Sequence, residues 1–358
     1  MNTLEQMTEF GHELVSFHQD PETGLRAIAA VHDSTLGPGF GGCRRWYYAT
    51  ESDALHDVLR LSEGMTYKNA IAGLPVGGGK SVILTQEPGA KATEAEARAM
   101  GRFIERLGGS YISAEDVGVT TRFVDWMATE TKYVCGGVEV SAGGDPSPHT
   151  AQGVVNAMKA ALAYTGRPSS FENVHVAIQG AGNVGRNIAR IVTGLGARVT
   201  IADINADAVE RVVEESGATA VGPDEILSVE CDILSPCALG GVINARTIGE
   251  LRCPILCPGA NNLLEDYDAD GRRLKEAGIV YVPDFVANAG GVIELAGFYV
   301  GLDESVRKQK ITAIESTALE LLRMSESEPN TYFAAVALAK KRIREAKEAA
   351  KAEATTSA

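Results

Sequence analysis

No run of 18 consecutive apolar residues occurs in this 358-residue chain, so no segment reads as a membrane-spanning helix. A basic excess is missing too. The formal charge of −14 gives a surface that repels phosphate, and neither DNA nor RNA is expected as a partner. The six cysteines (Cys43, Cys135, Cys231, Cys237, Cys253 and Cys257) form no pair of CxxC clusters and have no histidines at metal-site spacing, so no metal is expected. They read as small buried hydrophobes of a reduced, cytoplasmic protein. The opening residues, MNTLEQMTEFGHE, are acidic and do not fit a secretory signal. What remains is 45% hydrophobic and 22% charged, with 39 Gly and 13 Pro. That composition excludes a disordered or collagen-like chain, and the length suits two domains.

The first 148 residues read as mixed α+β. Residues 12–17 and 25–31 look like strands joined by the turn Asp20-Pro21-Glu22-Thr23-Gly24. Thr50 with Asp53, and Thr93 with Glu96, have the spacing of capping boxes that open helices. Leu55, Val58, Leu59 and Ser62 then share one helical face, as do Met100, Phe103, Ile104 and Leu107. Between the helices, residues 73–80 (Gly-Leu-Pro-Val-Gly-Gly-Gly-Lys) read as a loop leading into a strand at 81–84. The run Gly143-Gly144-Asp145-Pro146-Ser147-Pro148 marks a boundary, with Pro148 biasing Ser147 away from helix. Beyond it, strands at 174–179, 198–202, 233–234, 255–256 and 279–282 alternate with helices at 150–164, 183–195 and 206–215. That alternation predicts βαβ units around a mostly parallel sheet over 149–331. Residues 332–350 form one helix, the 332–358 tail packs back on the first domain, and about the last eight residues fray.

Gly180-Ala181-Gly182-Asn183-Val184-Gly185 is a GxGxxG placed after a strand and opening a helix. The first glycine permits the tight turn, the second lets backbone amides approach a pyrophosphate, and the third allows close helix–strand packing. The next strand ends at Asp203, where a carboxylate accepts from adenosine ribose hydroxyls and repels a 2′-phosphate, favouring NAD over NADP. Arg198, on the same strand, would soften that preference. A structural βαβ turn with no cofactor is the alternative.

Gly79-Lys80-Ser81 resembles the end of a phosphate-binding P-loop, but the required glycine six positions before the lysine is Leu74, so a kinase or ATPase fails on register. A lysine held by a glycine-rich turn near a second cation, such as Lys68, is shifted towards the range of a general base. Asp116, after a short strand, is placed to share its protons. On residue chemistry alone, a surface salt bridge is the favoured reading for any one of these three.

The chain resembles the family of glutamate, leucine, valine and phenylalanine dehydrogenases, nearest its leucine branch. The likeness rests on Thr35-Leu36-Gly37-Pro38-Gly39-Phe40-Gly41-Gly42, Gly64-Met65-Thr66-Tyr67-Lys68-Asn69, Gly77-Gly78-Gly79-Lys80, Ala114-Glu115-Asp116-Val117-Gly118, Gly144-Asp145-Pro146-Ser147-Pro148 and Asn288-Ala289-Gly290-Gly291-Val292. The resemblance implies NAD-dependent, reversible oxidative deamination of an L-amino acid to its 2-oxo acid, with release of ammonia, in a homo-oligomer, dimeric or octameric. It implies Lys80 as the catalytic lysine, Asp116 as its proton-transfer partner and Lys68 as the group holding the substrate carboxylate. Phe40, Gly41, Met65, Ala114, Asn288, Val292 and Leu295 complete the implied substrate site. Thr150, Ile204, Cys237, Ala238 and Asn261 join the glycine loop and Asp203 around the cofactor.

Phe40, Ala114, Val292 and Leu295 are apolar, which favours an apolar substrate, leucine or valine, over glutamate. Phe40 and Leu295 are bulkier than the residues usual in the leucine branch, which tilts the pocket towards smaller chains. As an aromatic wall, Phe40 would instead suit phenylalanine or tryptophan. Cys43-Arg44-Arg45 stands where that branch usually reads Thr-Arg-Met, with no effect assigned. In mechanism, the Lys68 ammonium fixes the carboxylate, hydride leaves from Cα once the amine is neutral, and a base takes a proton from the water that adds to the iminium. Enclosure between two domains would exclude bulk water. The rivals are another NAD-dependent enzyme acting on a carbonyl or imine, and a nonenzymatic NAD sensor.

Other features invite blander readings. Cys253-Pro254-Ile255-Leu256-Cys257 reads as buried strand, not a metal site. His149 reads as a surface histidine at the domain junction, and His12, His18, His32 and His56 have no obvious acid or nucleophile partner. Trp46, Tyr47, Tyr48 and Trp126 suggest packing or subunit contacts, and Lys340-Lys341-Arg342 a solvated helix face.

Overall fold

The computed structural model describes residues 3–140, 144–238 and 240–356. The chain forms two compact units, Met1–Asp145 with Glu294–Asp303 and Ala339–Ala358, and Pro146–Ile293 with Glu304–Leu338. Among the described residues no helix is long and apolar enough to cross a membrane.

In the first unit, α1 (Thr3–Phe10) precedes β1 (Leu14–Asp20) and β2 (Leu25–Asp33), an antiparallel pair joined at the predicted turn. β3 (Gly39–Trp46), α2 (Glu51–Ile71), β4 (Gly77–Leu84), α3 (Glu94–Arg106), β5 (Tyr111–Ala114) and α4 (Thr121–Ala128) follow. The sheet order is β1-β2-β4-β3-β5, with β4 antiparallel to β2 and β3 parallel to both β4 and β5. One apolar face packs Ala54, Leu55, Val58 and Leu59 of α2 against Ile28, Ala30 and Val82. The other packs Ala29, Cys43 and Ile83 against Met100, Phe103 and Ile104 of α3 and Phe123 of α4.

Thr50 and Asp53 close the predicted capping box, each side chain accepting from the other's backbone N–H. At α3 only half of it forms. Thr93 accepts from the Glu96 N–H, but the Glu96 carboxylate accepts from Arg45 Nε at 2.9 Å. Residues 77–80 correct a sequence expectation: they are strand, not loop. Their glycines mark close backbone packing around a central strand rather than a turn. A Cβ on Gly77 would lie 2.1 Å from the Asp33 carbonyl oxygen, and one on Gly79 2.6 Å from the Tyr111 ring.

In the second unit, α5 (Ser147–Tyr164) starts earlier than expected, because Pro148 falls in the first turn, where a missing N–H costs nothing. Of the boundary run, Gly143 lies outside the described residues. β6 (His175–Gln179), α6 (Asn183–Gly194), β7 (Arg198–Ala202), α7 (Ala206–Ser216), β8 (Thr219–Ala220), β9 (Ile233–Pro236), β10 (Ile255–Leu256), α8 (Ala269–Glu276) and β11 (Val280–Tyr281) alternate as expected. The strands form one parallel sheet in the order β11-β10-β9-β6-β7-β8. The order reverses between β6 and β9, and such a switch point opens the crevice where dinucleotides bind. The helices α9 (Asp284–Ala287), α10 (Gly290–Tyr299), α11 (Glu304–Thr312), α12 (Ile314–Met324) and α13 (Thr331–Thr356) complete the chain. α13 extends beyond the predicted end into the segment expected to fray, whose last two residues lie outside the description.

One further expectation changes. The basic run on α13 is not simply a solvated face: Arg342 donates to the Ile71 carbonyl at the C-terminal end of α2, where a cation meets the negative end of the helix dipole. Lys340 Nζ lies 5.7 Å from the centre of the Tyr67 ring. The histidines, expected to lack acid or nucleophile partners, meet hydroxyls and a ring. His12 Nε2 bonds Ser62 Oγ at 2.7 Å, His32 Nδ1 bonds Thr66 Oγ1 at 2.8 Å, and His18 stacks on Phe103.

Candidate active site

Along β4 the side chains alternate. Val82 packs towards α2, and Lys80, two residues earlier, takes the same face. Lys80 is buried among apolar strands yet meets Asp116 just beyond β5, with Nζ 3.0 Å from Oδ2. The same oxygen accepts from Arg44 Nε at 3.0 Å. Arg44 NH1 then reaches Asp57 Oδ2 on α2 at 3.0 Å, and Asp57 also accepts from Tyr48 Oη at 2.7 Å and Arg60 NH2 at 3.0 Å. Cations and carboxylates therefore alternate from Lys80 to Arg60.

Burial works to raise the Asp116 carboxyl, but Lys80 and Arg44 outweigh it and hold it down at about 2, so it is a carboxylate at any ordinary pH. Asp57 follows the same logic: burial opposes its charge, and Arg44, Tyr48 and Arg60 depress it. The neighbouring Glu115 is pushed the other way, to about 7, by burial and then by the like charges of Asp145 and Asp125. Sequence reasoning missed Arg44, although strand alternation places it with Phe40 and Gly42 on one face of β3. It also missed Asn69, which is fully buried and donates from Nδ2 to the Gly77 carbonyl at 2.6 Å and the Phe40 carbonyl at 3.2 Å, tying α2 to β3 and β4.

The other predicted residues of this unit lie on α2, β3, β5 and α10. Lys68 is half-buried on the last turn of α2, next to Asn69. A Cβ on Gly41 would lie 2.9 Å from Met65 Cγ, so these two touch. Phe40 and Ala114 are buried on β3 and β5, and Ala114 pairs with Gly42. Phe40 approaches Tyr299, the ring centroids being 6.3 Å apart. Leu295 is buried, and its carbonyl accepts from Cys135 Sγ at 3.3 Å.

The remaining candidates belong to the second unit. Gly180 follows β6 with φ +107°, a conformation that favours glycine, and a Cβ on Gly185 would lie 2.0 Å from the Gly180 carbonyl oxygen, so helix and strand pack backbone to backbone. A Cβ on Gly182 would meet nothing within 4 Å. That open side, at the start of α6 where no side chain caps the helix, fits an approaching pyrophosphate. Asp203 stands at the end of β7, its Oδ2 accepting from the Ala181 N–H at 2.7 Å and its Oδ1 from the Asn205 N–H at 2.8 Å. Arg198 lies at the other end of β7, opposite His175, so it does not bear on the Asp203 carboxylate.

Cys237 and Ala238 follow β9 and touch the first glycine: a Cβ on Gly180 would come 2.9 Å from the Ala238 nitrogen. Asn288 Nδ2 donates to Asn261 Oδ1 at 2.7 Å, joining two residues expected separately near substrate and cofactor. Thr150, in the first turn of α5, donates to the Pro146 carbonyl and abuts Gly291, whose Cβ would lie 2.4 Å from Thr150 Oγ1. Val292 is buried, whereas Ile204, beside Asp203, is 93% exposed.

The family described as Glu/Leu/Phe/Val dehydrogenase, dimerisation domain, matches residues 12–133, and that described as Glutamate/Leucine/Phenylalanine/Valine dehydrogenase matches residues 144–206 and 205–350. A leucine dehydrogenase of Geobacillus stearothermophilus is 46% identical over 345 residues, covering 96% of this chain and 94% of the relative. The crystal structure of L-tryptophan dehydrogenase from Nostoc punctiforme superposes with a TM-score of 0.84 at 38% identity, covering 96% of this chain and 99% of that one. The hetero-hexameric glutamate dehydrogenase of Thermus thermophilus shares the fold, with a TM-score of 0.76 at 21% identity over 96% of this chain and 94% of that one.

Proposed function

The chain belongs to the Glu/Leu/Phe/Val dehydrogenase family, and from that footing we propose that it is an NAD-dependent enzyme deaminating an apolar L-amino acid, leucine or valine by preference. In balance, the amino acid, NAD+ and water give the 2-oxo acid, ammonium, NADH and a proton. The observation that carries the reading is the buried ammonium of Lys80 held 3.0 Å from the Asp116 carboxylate, an arrangement that stores and moves a proton away from bulk water.

In this reading NAD, held at Gly180–Gly185 and Asp203, supplies the hydride acceptor. Lys68 binds the substrate carboxylate and so orients Cα. Asp116 relays a proton from the α-amine to solvent without holding it, and the amine lone pair then stabilises the iminium as hydride departs. Neutral Lys80 takes a proton from the water that adds at Cα and returns it to the amine, then takes the remaining hydroxyl proton as ammonia leaves and the carbonyl forms. Phe40, Ala114, Val292 and Leu295 offer no group for a side-chain carboxylate, which disfavours glutamate.

The test is initial-rate NADH formation over a panel of L-amino acids at alkaline pH. Leucine or valine should lead, Lys80→Ala should abolish turnover while NAD binding persists, and glutamate as best substrate overturns the reading. The ring contact of Phe40 with Tyr299 favours one second reading, an aromatic wall for phenylalanine or tryptophan, which the same panel decides. We further infer a homo-oligomer, dimeric or octameric, built through the first unit, whose match carries a dimerisation domain; light scattering gives the number. Six cysteines outside any disulfide, five of them buried, suit a reducing compartment such as the cytoplasm.

A further inference from the structure

Resting on the deamination reading above, we infer that Arg44 is a positioning residue for the proton chemistry: by sharing Asp116 Oδ2 with Lys80, it lets Lys80 give up its proton without leaving Asp116 unpaired. Both cations lie 3.0 Å from that one oxygen, and the side chains of Lys80, Asp116, Arg44 and Asp57 are each no more than 17% exposed. A lysine acts as a base only when neutral, yet a buried carboxylate with one cationic partner resists losing it. The guanidinium stays charged at every working pH, so Arg44 keeps Asp116 compensated through both states of Lys80. Asp57 fixes the far end of the guanidinium and is itself fixed by Tyr48 and Arg60.

The other ionisable neighbours do not supply this function. Cys43 on β3 is pushed up to about 12 by burial, and Tyr111 on β5 is raised by burial as well, so both stay neutral. Glu96 is engaged by Arg45, and Lys68 lies on the last turn of α2. Glu115 titrates near neutrality, so the measurement is repeated in a Glu115→Gln background to separate its contribution.

The test is the pH profile of kcat/KM for deamination, using whichever amino acid of the panel is turned over best. Arg44→Gln should move the acid limb upward by one pH unit or more, a tenfold loss at a fixed pH on that limb, and Arg44→Lys should restore it. A lowered plateau with an unmoved limb means that Arg44 merely braces β3 against α2, and overturns the inference. If Arg44→Gln does not fold, Asp57→Asn decides. With its other carboxylate gone, Arg44 leans wholly on Asp116 and the limb should move down; an unmoved limb, or one moving up, refutes the role. A wild-type protein inactive on the whole panel would instead bring down the deamination reading itself.

Discussion

A Cβ placed on Gly78 would lie 1.9 Å from Thr66 Oγ1 and 2.2 Å from the Thr66 backbone nitrogen, so α2 rests directly on the bare backbone of β4. The contact joins the helix that carries Met65 and Lys68 to the strand that carries Lys80. Because the obstacle is backbone, no rotamer change relieves it. Gly78→Ala must lift the end of α2, at a cost of about 1–3 kcal/mol. Turnover should fall further than stability alone explains, with KM for the amino acid rising. Gly64→Ala, on the same helix with nothing within 4 Å, is the control and should stabilise the fold by about 0.5–1 kcal/mol. Urea midpoints with steady-state kinetics check both, and a stable Gly78→Ala enzyme of normal KM would refute the contact's importance.

The limits of legibility lie in that strand. Helix starts were readable because Thr50 and Asp53 act on their own backbone, and the Rossmann-like half because its glycines and Asp203 obey one local rule of spacing. Gly77–Lys80 misled because glycine signals both a turn and a close approach, and only the neighbours (Thr66, Asp33, Tyr111) decide between them. The resemblance supplied Lys80 and Asp116 as candidates. Arg44 reaching the same Asp116 oxygen needs strands adjacent in space and residues 72 apart in sequence, which periodicity does not carry. Glu96 fits a capping box by spacing, but the charge of Arg45 on another strand takes it.

His12 gives a pH-dependent prediction. His12 Nε2 lies 2.7 Å from Ser62 Oγ, and Nδ1 is buried without a partner. Burial first, and then the His32 charge, lower His12 to about 4. Between pH 6.5 and 4 the unfolded chain therefore binds a proton that the folded chain refuses. The stability present above pH 6.5 is lost as pH falls through this window, by up to about 3 kcal/mol. His12→Gln should flatten that part of the stability–pH curve, read as urea midpoints at several pH values. An equally steep curve in the variant would rule His12 out as the source.

Phe40 sets the substrate prediction. It is 1% exposed on β3 and backed by Tyr299. Phe40→Leu removes ring volume and keeps the site apolar, so longer side chains gain more than short ones. One methylene of fit is worth about 1–3 kcal/mol in such pockets. The kcat/KM ratio of phenylalanine to valine should rise by about tenfold or more, and a ratio that does not change would remove Phe40 from the pocket wall.

Asp203 and Ile204 together test the choice of dinucleotide. The carboxylate is fixed between the amides of Ala181 and Asn205, which leaves it aimed from the end of β7 at the mouth of the glycine loop, while Ile204 beside it is open to solvent. A ribose hydroxyl there donates to a charged acceptor worth about 1.5–3 kcal/mol, so Asp203→Ala should lower kcat/KM for NAD by roughly 10- to 100-fold. The same change removes the repulsion of a 2′-phosphate, and NADP should lose far less or improve. Adding Ile204→Arg places a guanidinium where that phosphate would sit, and the double variant should prefer NADP. If both variants keep the wild-type ratio of kcat/KM for the two cofactors, the adenosine ribose does not lie against Asp203, and the preference for NAD must arise elsewhere in the second unit.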